Sequence, residues 1–572
     1  MNEPEQRYGS LPFLAWPRLD APGWRSELLA GLTVGLMVIP QGVAYAVLAG
    51  MPPVTGIYAS ILPAIVAALF SASPRLAVGP TALTCLLAGA SIGSLAPAGS
   101  PQWVHLVMWL ALLSGGLQVL LGLMRTGWLL NLVSSPVLMA FTQAAAVLII
   151  GSQLPALLGV GSLSALLAGA AAIHWPTLAF GIGAVALMML SRRISVSFPM
   201  VLVVMAGSAW ISSASDFALG GGATLGALPQ GLPSLQWPEW PGLAQMQQLV
   251  LPALVITLVS FLETASSAKV DNERAGKPWN QNQDLIGQGL GKIASALCGA
   301  FPTSSSFSRS ALNLYAGART GWATIASALV VLACLLIGLE WMQPVPQSVL
   351  SAVVIVAVMG LLRPGQFVRL WRVSQVEAVL ALLTFAVTLW TAPNLYWGVL
   401  AGVLSGLIHF LYQRLHPRII EIGLHPDGSL RDRHLWKLPP LAAHLYALRM
   451  DDEMDFASAA ALERAIVNHL AQHDDVRHVC LFAQPINRID ATGVEVFAGL
   501  RARLAANGIT LHISGIKLPV ERVLQRAGAL APDPWLRMYR TDKEALQALA
   551  ASGQAGAPTI QPSSGSSVAG NP

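Results

Sequence analysis

An all-α polytopic membrane domain of about fourteen segments, seven plus seven in an inverted repeat, followed by a small cytoplasmic α/β domain, is the fold class this sequence predicts. Three observations predict it. The 572-residue chain is 54% hydrophobic and only 11% charged, whereas a soluble domain carries about 25% charge. Apolar stretches of spanning length recur from residue 26 to residue 413. Two shorter apolar stretches, each opened by proline or glycine, hold matching places in the two halves.

The spans follow in order. A helix crossing hydrocarbon needs about 20 apolar residues. That length fits 26–46, 54–71, 103–124, 130–150, 174–191, 198–215, 247–268, 283–300, 320–340, 345–362, 374–391 and 395–413. The short stretches are 79–92, after SPRLAVGP, and 306–317, after FPTS. Each is third from a repeat start, near residues 26 and 247. Positive charge gathers on cytoplasmic loops. With the N-terminus inside, Arg7, Arg18 and Arg25 are inside, as are Arg125, Arg192, Arg193, Lys269, Arg274, Lys277, Arg319, Arg363, Arg369 and Arg372. The long outer loop, 212–246, has Asp216 and Glu239 and no basic residue. This alternation requires each short stretch to count as a half-crossing that completes a span. Both termini are then cytoplasmic.

Other classes are excluded. The net charge of +5 has no basic run that could follow a phosphate backbone, so a nucleic-acid partner is not expected. The four cysteines are scattered, with no CxxC, and support neither a metal site nor a disulfide framework. The N-terminus lacks a short apolar core and reads as no cleavable signal; the first helix directs insertion. No Ser-His-Asp or His/Cys cluster supports an enzyme. GQGLGK (287–292) mimics a phosphate loop without the preceding strand, so its glycines read as packing positions.

After about residue 414 the composition becomes soluble. HLYALRM (444–450), VRHVCLFA (476–483) and ITLHISG (509–515) read as strands. Residues 492–506 read as a helix, and Leu462, Ile466 and Leu470 share another helix face. The expected division is 1–25 N-terminal segment, 26–415 membrane domain, 416–435 linker, 436–550 α/β domain and 551–572 disordered tail.

FPTSSSFSRSALNLYAGART (301–320) puts serines and Arg309 inside an apolar chain. Arginine at membrane depth costs a few kcal/mol or more, so it should face a cavity. A helix N-terminus offers unpaired N–H groups and about half a positive charge. Two half-helices beginning near Gly79–Pro80–Thr81 and near Ser304–Ser306 would aim both positive ends at one anion. The serines could equally be small residues for close packing, and Arg309 could set the cavity's field without touching the anion. Glu263 stands alone in an apolar helix. It needs either a proton or a cation, since desolvation disfavours its charge. It could carry a coupling H+ or Na+, or pair structurally with Lys292 on the next helix.

The stretches 30–63, SPRLAVGPTAL (73–83), NQDLIGQGL (282–290) and SFSRSALNLYAGART (306–320) resemble the sulfate permease (SulP) family, which includes prestin. The resemblance covers nearly the whole chain. It implies a uracil-permease-like fold with core and gate domains, a homodimer and a C-terminal STAS domain. By motif match it implies anion-binding roles for Gln41, Tyr45, Thr81, Ser306, Phe307, Ser308 and Arg309. Prestin has Phe at the position of Thr81; the smaller polar residue would admit a larger or more hydrated oxyanion. The resemblance supports cation coupling at Glu263. It leads to an amide where this chain has Lys292, the potential charge partner. NRIDATGVEVF (487–497) looks like the STAS central turn, with Thr492 at the position phosphorylated in anti-anti-sigma relatives; a plain N-cap explains the turn as well. The domain is expected to serve dimerisation, trafficking or binding of a cytoplasmic regulator.

The expected function is secondary active transport of a small inorganic oxyanion, sulfate first, across a bacterial inner membrane by alternating access, with H+ or Na+ coupling and no other cofactor. Bicarbonate or a C4-dicarboxylate, anion exchange, a channel, and a membrane anchor for STAS signalling are the alternatives.

Overall fold

The structure is a computed structural model that describes residues 11–169, 172–194, 200–227, 231–337 and 340–551. Residues 1–10 and the tail 552–572 lie outside the described residues, and with them Arg7 and the expected disordered tail. The chain divides into two compact units at Gly406/Leu407, each described by itself.

The first unit is a helical double series. The first half runs Ala21–Leu48, the broken pair Thr55–Tyr58 and Leu62–Phe70, then Ala82–Ile92, Pro101–Leu123, Ser135–Leu158, Trp175–Ile194 and Met200–Ala214. The second runs Leu243–Ala275, Gln281–Leu297, Phe307–Tyr315, Trp322–Ile337, Gln347–Met359, Gln375–Trp390 and Tyr396–Leu415. This is the 7+7 arrangement. Five of these helices are long and apolar enough to cross a membrane by themselves. Outward side chains such as Ile182, Leu190, Trp210, Leu336 and Trp390 stand exposed, a surface suited to lipid rather than water.

Two helix groups form. Ala21–Leu48 packs on Trp322–Ile337, and Gln281–Leu297 packs on Pro101–Leu123 and Leu62–Phe70. These build the core group. Ser135–Leu158 packs on Gln347–Met359 and Gln375–Trp390, and Gln347–Met359 packs on Trp175–Ile194. These build the gate group. Close contact in the core depends on small residues. A Cβ on Gly289 would press on the Gly115 carbonyl (2.6 Å), and one on Gly291 would come 3.1 Å from the Pro63 carbonyl. The glycines of GQGLGK therefore pack helices, as expected.

The two interrupted segments meet. Strand β1 (Val78–Gly79) pairs antiparallel with strand β2 (Ser304–Ser305), Val78 opposite Ser305 and Gly79 opposite Ser304. The amide of Ser306 extends the pairing to the Ala77 carbonyl at 3.0 Å. From this two-strand ribbon the half-helices Ala82–Ile92 and Phe307–Tyr315 depart, with Thr81 and Ser306 as their N-caps. Proline at Pro80 and Pro302 prevents a helix from running through either approach.

The second unit holds a six-stranded sheet. Its strands are β3 (Ile419–Leu424), β4 (Leu430–Asp432), β5 (Leu445–Met450), β6 (His478–Phe482), β7 (Thr510–Ser514) and β8 (Leu536–Tyr539), in the order β4-β3-β5-β6-β7-β8. The run β5 to β8 is parallel, and β3 is antiparallel to both neighbours. Alternate residues serve the two faces. Tyr446, Leu448 and Met450 join the helix-covered core with Leu462, Ile466, Phe497 and Leu500. Leu445 and Ala447 face the smaller core with Ile420, Ile422 and Leu549.

Three expectations change. Residues 416–435, expected as a linker, supply strands β3 and β4. The loop after Met359 contains the amphipathic helix Gly365–Val373, none of it buried. The segment 54–71 is broken at Ile61, just ahead of Pro63.

Candidate functional site

The ribbon brings the site together from both halves of the chain. Arg309, in the first turn of Phe307–Tyr315, is 1% exposed. Its Nη1 reaches Gln41 Oε1 at 3.4 Å, while Nε and Nη2 have no hydrogen-bond partner among the described residues. An unsatisfied buried donor costs of order 1–3 kcal/mol, and more when charged. An arginine held this way suits an anionic partner. Pro40 lies inside the first helix. It removes the amide that would bond the Leu36 carbonyl, and Gln41 follows directly. Tyr45 lies one turn on and is buried.

Thr81 serves two neighbours. Its hydroxyl caps the half-helix by accepting from the Thr84 amide at 3.5 Å, and it donates to Glu263 Oε2 at 3.2 Å. Glu263, half-buried, is on the long helix Leu243–Ala275. That helix packs against β2 and against both half-helices. Arg309, Gln41, Tyr45, Thr81 and Glu263 therefore converge on the ribbon. Ser306 and Ser308 approach each other at 3.4 Å between hydroxyls. Phe307 is 55% exposed and makes no ring contact among the described residues. Ser308 is exposed too, so these two stand at the open side of the turn.

Lys292, which the sequence left open as a charge partner for Glu263, makes hydrogen bonds to neutral groups. Its ammonium donates to Gln118 Oε1 at 2.8 Å and to Ser260 Oγ. Sequence reasoning did not single out Gln118 or Ser260. It also missed the brace beneath the first half-helix. Buried Asp284 accepts from the Ser73 amide (2.9 Å), the Ser73 hydroxyl (2.7 Å) and Trp279 Nε1 (2.7 Å). Arg75 forms an ion pair with Asp271 at 2.7 Å. Glu27, fully buried, accepts from the amides of Arg319 and Thr320 at 2.8 Å each. A carboxylate inside an apolar helix was the available signal for Glu27, and an aspartate after a helix start for Asp284.

In the second unit, Asp490 caps the helix Ala491–Ala506 by accepting from the Gly493 amide at 2.8 Å, and its other oxygen accepts from the Phe456 amide at 2.9 Å. The N-cap is thus Asp490, and Thr492 stands exposed in the first turn. No cluster of three or more His, Cys, Asp or Glu that could hold a metal occurs among the described residues.

An apolar double helix series, a charged site at the meeting of two half-helices and an appended α/β unit define a multi-pass anion transporter. The sequence pattern of the sulfate permease family matches residues 24–384, and that of the STAS domain matches residues 442–545. The chloroplastic sulfate transporter 4.1 of Arabidopsis thaliana is 29% identical, over 88% of this chain and 77% of its own. A protein named a probable sulfate transporter in Mycobacterium tuberculosis is 30% identical, over 92% of this chain and 95% of its own. Among solved structures, the murine Solute Carrier 26 family member A9 anion transporter in the inward-facing state superposes with a TM-score of 0.85. It shares 19% identity and covers 96% of this chain and 95% of its own. The chain belongs to the sulfate permease family and carries a C-terminal STAS domain.

Proposed function

We propose that the protein is a secondary active transporter of small inorganic oxyanions, with sulfate the first candidate. The observation that carries this reading is Arg309, buried at the ribbon with two nitrogens unpaired and flanked by the starts of two half-helices. The anion is held by Arg309, Gln41, Tyr45, Thr81 and the Ser306–Ser308 turn. Its charge is offset by H+ or Na+ at Glu263, which Thr81 connects to the site. Alternating access moves the core group against the gate group. Names of relatives as sulfate transporters support sulfate over bicarbonate or a C4-dicarboxylate. The protein works as a homodimer in a bacterial inner membrane with both termini in the cytoplasm. Its STAS domain serves assembly or regulation, with Thr492 exposed to modification, and performs no catalysis.

The test is radiolabelled sulfate uptake into proteoliposomes under imposed pH and sodium gradients, with unlabelled bicarbonate and C4-dicarboxylates as competitors. A saturable, gradient-driven flux is expected, and rapid passive flux would indicate a channel. Glu263→Gln should remove the response to the gradient and leave exchange of internal for external sulfate; a variant with wild-type coupling refutes the assignment. Arg309→Ala should weaken sulfate binding tenfold or more, on the order of the 1.5–3 kcal/mol of a hydrogen bond to a charged group. Unchanged affinity would make Arg309 a structural residue.

A further inference from the structure

Lys292 brings a second cation to the anion site. It is fully buried on the helix Gln281–Leu297. Its two acceptors, Gln118 Oε1 and Ser260 Oγ, are neutral. The other end of Gln118 joins the same cluster, donating from Nε2 to the Thr257 carbonyl (3.3 Å) and to Ser260 Oγ (2.9 Å). Among the described residues no ion pair neutralises Lys292. Burying an ammonium costs several kcal/mol, and a neutral amide would fill the same hydrogen-bonding place without that cost. The charge itself therefore calls for a use.

Ser260 ties the ammonium to the site. Its carbonyl accepts from Ser304 Oγ at 3.2 Å, and Ser304 pairs with Gly79 in the ribbon. Glu263 follows Ser260 by three residues, on the same helix face. The charged groups that act on Glu263 are Arg309 from the second half-helix and Lys292. Cys85 from the first half-helix is the further titratable group beside it, and Tyr45 of the first helix acts on Arg309. The helix Pro101–Leu123 contributes neutral Gln118 and the Ser114 carbonyl.

We infer that Lys292 sets the charge of the anion the site accepts: with Arg309 it supplies two cationic groups against one carboxylate, Glu263. With Glu263 ionised, the site offers one net positive charge and matches a monovalent oxyanion. With Glu263 protonated, it offers two and matches a divalent oxyanion. A dianion such as sulfate is then bound together with one proton on the Glu263 carboxyl. The inference deepens the reading of Arg309 and Glu263 as the anion site and rests on it.

The test compares two tetrahedral oxyanions of similar size, sulfate with two charges and perchlorate with one. The purified full-length protein is titrated with each and binding is read by calorimetry. Lys292→Gln should weaken sulfate relative to perchlorate by tenfold or more, the scale of one unit charge lost at about 12 Å or less in an effective dielectric of about 20. Lys292→Arg should keep the wild-type preference. Glu263→Gln should shift preference towards sulfate, and the double variant E263Q/K292Q should return it to the wild-type value. The double variant also serves if Lys292→Gln alone does not fold. An unchanged sulfate-to-perchlorate ratio in Lys292→Gln, or a double variant that behaves like Glu263→Gln, overturns the role of Lys292. If Arg309→Ala abolishes binding while that ratio stays constant, the anion site stands and only this inference falls. A wild-type protein that binds neither anion removes both.

Discussion

Burial disfavours charge on the polar residues of both units. In the membrane unit, the Arg309 side chain is left with one hydrogen bond among the described residues, to Gln41, and that of Lys292 with two, to Gln118 and Ser260, all to neutral acceptors. In the STAS domain, His512 is kept neutral. Burial pushes it down to about 4, with the charges of His478 and Arg537 adding to the effect. Its ring nitrogens meet His478 Nδ1 at 3.2 Å and the Tyr539 hydroxyl at 3.1 Å. An unfolded histidine titrates at about 6.5. Below that pH the unfolded chain takes up a proton that the folded domain refuses. The stability this residue contributes is thus complete above about 6.5 and is lost as pH falls towards 4. Thermal unfolding of a fragment of residues 416–551 should weaken over that window, and His512→Gln should flatten the dependence. An equally steep dependence in the variant would assign it to other groups. At this scale the sequence made the isolated charges visible. Arg309 and Glu263 interrupt apolar runs, so their cost is apparent without coordinates. The partners were hidden, because Lys292 finds Gln118 at a separation of 174 positions.

Elements were legible where periodicity and punctuation coincide. Strands β5, β6 and β7 fall within the stretches read from alternating β-branched and apolar residues, and both half-helices begin where Pro80 and Pro302 require a fresh start. Strands β3 and β4 were missed because the charged composition of residues 416–435 reads as a linker, although β3 has six residues, as many as β5. β3 becomes a strand by pairing with β4 and β5, and tertiary pairing of that kind overrides local composition. Close helix contact was legible only as an excess of small residues. At Gly56 it becomes specific, since a Cβ there would overlap the Gly42 carbonyl, one residue from Gln41. Gly56→Ala should push the first helix away from the site and cost about 1–3 kcal/mol, as overpacking does. Gly116 has nothing within 4 Å of an added Cβ, so Gly116→Ala should be neutral or gain up to about 1 kcal/mol from helix propensity. Melting temperatures of the two detergent-solubilised variants, alongside sulfate titrations, check the pair. Equal behaviour would show that the Gly42–Gly56 contact is not needed.

At the scale of the whole chain, the double series of helices was legible from hydropathy and from the two interrupted segments. Their convergence was legible too, but the strand pairing that joins them was not, because a two-residue strand leaves no trace in composition. That meeting has a mechanical meaning. Each half of the chain contributes one strand of the ribbon, and backbone bonds between Val78, Gly79, Ser304 and Ser305 hold the two half-helix starts together. Pulling them apart would cost those bonds at four residues buried from solvent. A load seated there would be ferried in one berth rather than handed from one side to the other. The tally of charges that crosses in each trip would then be written into the berth, before either doorway opens.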